Sequence, residues 1–152
     1  MTISLMRFQD AFNVSSAYVS KSPETEDMTF RIIEAIAVRI LQQDCHMCSL
    51  QELLARVQAL MLFKVIQLFD GDIRQRFLAE QHFGILRAWT SHFQSRSNDL
   101  EATLHEWVVA EIVRRTIIFS LILDSLQSTL KLGYCTNVPI LSILPFTPEI
   151  EL

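Results

Sequence analysis

Glycine and proline are scarce in this chain, three and four among 152 residues. No hairpin dipeptide separates two alternating apolar–polar runs, which excludes a sheet of hairpins and predicts an all-α fold. Cysteine is also scarce: Cys45, Cys48 and Cys135 make an odd set with no secretory leader ahead of them, which excludes a disulfide framework. Met1 to Arg7 offers neither a basic leader nor a cleavable apolar core, so the expectation is a soluble, intracellular protein that is not secreted. Charged residues are 20% of the chain and the net charge is −4. The basic excess that phosphate neutralisation requires is missing, so no direct nucleic-acid binding is expected. The longest apolar stretch, Thr116 to Leu123, ends at Arg115 and Asp124, far short of the ~20 residues that cross a bilayer.

What the sequence has in quantity is apolar side chain. Half of the residues are hydrophobic, a surplus that predicts either a thick helical core or a face meant for another protein. The length fits one helical domain over residues 1–152, and the pattern predicts a multi-helix bundle with about four main helices. A short helix is expected around Gln9 to Val19. Ser22-Pro23 opens the next, with Glu24, Glu26 and Asp27 complementing the dipole and Phe30, Ile33, Ala37, Ile40 and Leu41 on one face. Gln43 to Cys48 is a connector.

Ser49-Leu50-Gln51-Glu52 is a capping box. The helix it starts runs to about Phe69 and is apolar around most of its circumference. Asp70-Gly71-Asp72 is a stop and restart: Gly71 suits a left-handed C-terminal position, and Asp72 with Gln75 resembles a second capping box. A helix from about Ile73 to Phe93 follows, then a polar loop over Ser95 to Asp99 in which Asn98 and Glu101 fit a cap pair. A long helix from about Leu100 ends at Leu132 before Gly133, and Pro139, Pro145 and Pro148 predict an extended C-terminal tail. The wide apolar circumference of Gln51–Phe69 and of Glu111–Leu126 places both segments at the centre of the bundle.

Few arrangements carry chemistry. Cys45-His46-Met47-Cys48 is a lone CxxC, without the second ligand pair a structural zinc site wants and without the βαβ pattern of a redox motif. His105-Glu106 begins like a metalloprotease helix, but the second ligand position is Val109. His82 and His92, ten residues apart on one helix, are about 15 Å apart and cannot share a metal. No G-x-S-x-G, P-loop or G-x-G-x-x-G occurs. The chain is therefore expected to have no enzymatic activity and no cofactor or metal. The remaining polar cluster is Glu111 with Arg114 and Arg115, at i,i+3 and i,i+4 spacing, with Trp107 one turn earlier. Its two readings are a structural ion pair and a ligand-carboxylate or partner site.

The segment DGDIRQRFLAEQHFGILRAW (Asp70 to Trp89), with Glu106 to Thr116, resembles the C-terminal regulatory region of fungal zinc-cluster transcription factors. Gln9 to Phe12, Ala17-Tyr18, Lys21 to Thr25, Phe30 to Glu34, Leu54 to Leu60 and Lys131 to Thr136 resemble it too, in consistent order. In such factors a six-cysteine binuclear cluster reads DNA and the helical region behind it regulates and meets partners. Three cysteines cannot supply that cluster, so its zinc and DNA binding do not carry over. The resemblance implies a truncated regulatory region and a non-enzymatic transcriptional regulator or interaction domain, with control of a biosynthetic gene cluster as the setting it suggests. It implies a nuclear location, otherwise a cytoplasmic one, and a protein partner: a homodimer or a full-length zinc-cluster factor, with no membrane. The alternative is a small α-helical ligand-binding or catalytic protein on the same scaffold. Helices implied to be missing would leave uncovered either the central helix or the Phe30, Ile33, Ala37 and Ile40 face.

Overall fold

The computed structural model describes residues 2–42, 48–97 and 104–142, without the side chains of residues 2–8, 10, 97, 104–107 and 141. Among the described residues every element is a helix: α1 Thr2–Val19, α2 Glu26–Leu41, α3 Leu50–Phe69, α4 Ile73–Ser97, α5 Leu104–Leu132 and α6 Val138–Leu141. The all-α expectation therefore holds, with five substantial helices where about four were expected. The fifth is α1, whose 18 residues exceed the short helix anticipated around Gln9.

The organising element is α3. Leu53, Val57 and Leu60 face Phe83, Leu86 and Phe93 of α4 and Val113, Ile117 and Leu123 of α5 in one buried cluster. Ala59, Phe63 and Ile66 of the same helix join Ala11 and Val14 of α1 and Phe30, Ile33, Ala37 and Ile40 of α2 in a second. Trp89 packs against both. A helix apolar on most sides is shielded only from inside the bundle. The interior position expected for Gln51–Phe69 is thus found. The other half of that expectation fails: α5 packs through one side and leaves Ile112, Phe119, Ile122 and Leu126 exposed. The face of α2 expected to be uncovered is instead buried, because α1 is long enough to lie across it.

Local chemistry sets the joints. Ser49 accepts the backbone N–H of Glu52 at 3.2 Å, and Glu52 accepts the N–H of Ser49 at 3.0 Å, so the capping box forms. The first turn of α2 contains Glu26 and Asp27, but the helix starts after Thr25 rather than at Ser22-Pro23. Ser22 N–H is taken by the Thr25 hydroxyl at 2.9 Å, a turn that competes with helical bonding. Lys21 lies 2.7 Å from Glu26 and 3.0 Å from Asp70, and Tyr18 donates to Asp70 at 2.8 Å. This cluster ties the end of α1 to the start of α2 and the end of α3.

Half of the second capping box is present. Asp72 accepts from Gln75 N–H at 2.8 Å, whereas the Gln75 side chain accepts instead from Gln67, at 3.0 Å. Gly133 closes α5 with φ +81°, as its position suggested. Gly71 does not take the left-handed conformation expected of it. It is there for closeness: a Cβ on Gly71 would overlap the Gln67 carbonyl oxygen and the Gln75 Cβ. Gly84, inside α4, has open space instead. Gly71→Ala is therefore expected to destabilise by about 1–3 kcal/mol, as overpacking does. Gly84→Ala is expected to stabilise by about 0.5–1 kcal/mol, through helix propensity. Urea midpoints of the two variants check both signs.

Helix α4 continues through Ser97, so Ser95 to Ser97 are helical rather than part of the expected loop. Pro139 sits in the first turn of α6 rather than in an extended tail, since proline's missing N–H is an orphan there in any case. The Asn98/Glu101 cap pair, Pro145, Pro148 and Cys45-His46-Met47 lie outside the described residues.

Candidate functional site

The Glu111 cluster is local to α5. Arg114 Nη1 lies 2.8 Å from one Glu111 oxygen and Arg115 Nε 2.7 Å from the other. The acid is N-terminal to both bases, the favourable order along a helix. The Glu111 side chain is only 12% exposed and the Arg115 side chain 79% exposed, so the cluster runs from the bundle surface outward. Trp107 lies on α5 one turn earlier, and its side chain is outside the described set.

Beside this cluster runs an apolar seam. Val108, Ile112, Phe119, Ile122, Leu126 and Leu130 are 40–71% exposed, all on α5. With Arg115 among them, the steps are mainly alternating fours and threes, so they lie along one stripe. At 100° per residue the stripe is turned away from Val113, Ile117, Ser120 and Asp124, the side that packs on α4. Such a stripe exceeds the scattered single exposures of an ordinary surface. The sequence shows this segment's apolar surplus but assigns it to the interior.

A neighbouring groove of about 190 Å³ is lined by Ala11, Phe12 and Ser15 of α1 and by Ala55, Gln58, Ala59 and Leu62 of α3. Gln58 reaches from it to donate to the Thr116 hydroxyl of α5 at 3.1 Å. The small alanines of α3 make the floor, so apolar surface lies open along this side of the bundle.

A second, polar constellation that sequence reasoning missed runs inward from the surface at α4, from an exposed Arg87 to a buried Asp124. Arg87 Nη2 donates to both oxygens of Asp124 at 2.7 and 2.9 Å, and Asn137 Nδ2 donates to Asp124 Oδ2 at 2.6 Å. These groups border a cavity of about 210 Å³ between α4, α5 and α6 that includes Phe83, Leu86, Ile117 and Ile140. Thr90 and Ser120 share a hydrogen bond of 2.9 Å at its wall. The carboxylate is engaged by its own chain, and the cavity is not flanked by Glu111, Arg114 and a tryptophan. The signal for it was an acid, Asp124, closing an apolar run on a core-facing register.

Lys64 was also missed. It is fully buried on α3, donates to the Ala79 carbonyl at 2.8 Å and sits 5.9 Å from the Phe83 ring centre. Burial lowers its pKa to about 7. Burial, and secondarily the charge of Lys64, lowers His82 to about 4. Its Nδ1 is buried without a hydrogen-bond partner. The signal was spacing: Lys64 is four residues after Leu60 and thus on the core face.

No catalytic pairing emerges from these groups. Cys48 is buried, and Cys135 is a half-buried free thiol. Hydrogen bonds from Ser125 and from the backbone of Asn137 lower the Cys135 thiol. Among the described residues no group of His, Cys, Asp and Glu is placed to hold a metal, and no helix is long and apolar enough to cross a membrane.

The chain is 32% identical over 145 residues to transcription factor gsfR2 of Penicillium aethiopicum, an alignment covering 84% of this chain and 35% of that protein. The chain thus spans about a third of the length of that relative. No family model and no solved structure matches it. The chain is related to a fungal transcription factor.

Proposed function

We propose that this chain is a non-enzymatic regulator of transcription that works by protein contact, as a regulatory interaction domain of the zinc-cluster kind. The observation that carries this reading is the exposed apolar seam of α5 on a chain related to a fungal transcription factor. A soluble surface holds such a stripe at risk of aggregation unless a partner covers it. The partner is a second copy or a full-length zinc-cluster factor, and the place of action is the nucleus. The Glu111–Arg114–Arg115 cluster frames the seam and keeps Arg115 directed along it. Control of a biosynthetic gene cluster is the expected biological setting.

DNA contact is left to another module. With a net charge of −4 there is no basic surplus to neutralise phosphates. A ligand-binding reading would use the cavity at Arg87, Asp124 and Asn137, but that carboxylate is already satisfied within the chain. The test is to express the full chain in a filamentous fungus and measure transcripts, with fluorescence anisotropy on random-sequence duplex DNA alongside. The expected result is a reproducible change in a defined gene set and no salt-sensitive DNA binding below about 1 μM. Unchanged transcripts despite stable nuclear protein, or tight salt-sensitive DNA binding, would refute the reading.

A further inference from the structure

We infer that the seam on α5 is a self-association surface, and that its occupant is α5 of a second copy running antiparallel with Phe119 on the twofold axis. This rests on the preceding reading that the seam is a docking face, and names what docks there.

The first reason is its period. From Val108 the seam steps by four, three, four, three and four through Ile112, Arg115, Phe119 and Ile122 to Leu126, and all six are exposed. The steps average 3.6 residues, the turn of a straight α-helix, so the six keep one line along α5 and a second helix can lie against all of them.

The second reason is that the seam reads alike from both ends. Val108 and Leu130 each stand eleven residues from Phe119, and Ile112 and Leu126 each stand seven. Two copies crossing antiparallel at Phe119 set Val108 opposite Leu130, Ile112 opposite Leu126 and Phe119 against itself. This is the isologous arrangement a twofold dimer requires, where residue i meets j and j meets i.

Charge selects the direction. Arg115 is the seam's charged residue, and Glu111 of its own helix holds it at 2.7 Å. In a parallel, in-register pair the two Arg115 side chains would lie side by side. Antiparallel pairing separates them and lays each aliphatic stem against Ile122 of the other copy, with the guanidinium at the rim.

Area sets the strength. At their fractional exposures the six apolar side chains present roughly 600 Å² per copy, taking a fully exposed large side chain as about 200 Å². Pairing would bury roughly 1,200 Å² in total, the lower end of stable interfaces. The expected association is therefore of about micromolar strength, an exchangeable dimer rather than an obligate one.

Sedimentation equilibrium of the full chain between about 1 and 100 μM is the test, with circular dichroism melting to verify the fold of each variant. The wild type is expected to be a reversible dimer. Phe119→Asp, which enters the interface twice at its centre, is expected to weaken the dimer at least 100-fold, with a melt unchanged below about 1 μM, where both chains are monomers. Direction is read by oxidation: Ile112→Cys with Leu126→Cys should cross-link copies above the level of the unsubstituted chain, and Ile112→Cys alone should not. A monomer at 100 μM, a dimer insensitive to Phe119→Asp, or cross-linking by Ile112→Cys alone would overturn the inference. A monomeric wild type whose transcript effect is still lost in Phe119→Asp overturns the second copy as occupant but leaves the docking reading standing. Retention of that effect in Phe119→Asp overturns the docking reading itself.

Discussion

Replacing Lys64 by methionine is expected to stabilise the chain by about 2–4 kcal/mol at pH 7, because it removes a buried amine and keeps its volume. Lys64 is fully buried, its charge meets carbonyls of α4, and burial lowers its pKa from 10.5 to about 7. Between those two values the unfolded chain holds a proton that the folded chain does not, so stability rises with pH across that window. The cost vanishes above about 10.5 and is fully present below about 7. Urea unfolding at pH 7, 8, 9 and 10 should show the wild type gaining stability and Lys64→Met nearly level. A variant less stable than wild type at pH 7 would mean the carbonyl hydrogen bonds outweigh desolvation. His82 adds a slope at lower pH. Its folded value near 4 lies below the unfolded 6.5, so stability is lost as pH falls through that interval.

Phenylalanine at two positions is expected to behave in opposite ways. Phe63, wholly buried between α1, α2 and α3, should cost about 3–5 kcal/mol on replacement by alanine, through lost transfer energy plus a cavity. Phe119, 48% exposed on α5, should cost no more than about 0.5 kcal/mol in dilute protein, as surface substitutions do. Chemical denaturation below 1 μM measures both without help from association. A large loss for Phe119→Ala there would place that side chain in the core rather than on a docking face.

The contrast explains what the sequence discloses and what it withholds. The interior place of α3 is legible because Leu53, Val57, Leu60, Phe63 and Ile66 spread around its circumference, and no single neighbour can cover them. The same reasoning applied to Glu111–Leu126 misplaces α5. A helix buried in its own bundle and a helix with one face reserved for another molecule have the same apolar count. Periodicity distinguishes them only faintly. The face of Phe30, Ile33, Ala37 and Ile40 is legible as apolar, but its cover is not, because α1 is weakly patterned and its length is hard to foresee. Glu111, Arg114 and Arg115 are legible because they are local: a helix brings i, i+3 and i+4 together unaided. Arg87, Asp124 and Asn137 come from three helices or their flanks, and nothing in chain order announces their meeting. Lys64 is hidden for another reason, since a lysine in a helix is ordinarily a solvated residue.

The claim that the outward face of α5, rather than the cavity between α4, α5 and α6, carries the function is tested most directly by comparing transcripts for three stably expressed chains. These are the wild type, Phe119→Asp on the seam, and Ser91→Trp at the exposed edge of the cavity beside Arg87 and Gln94. Phe119→Asp is expected to lose the transcript response while Ser91→Trp keeps it. Loss with Ser91→Trp and retention with Phe119→Asp would contradict the claim and assign the function to the cavity.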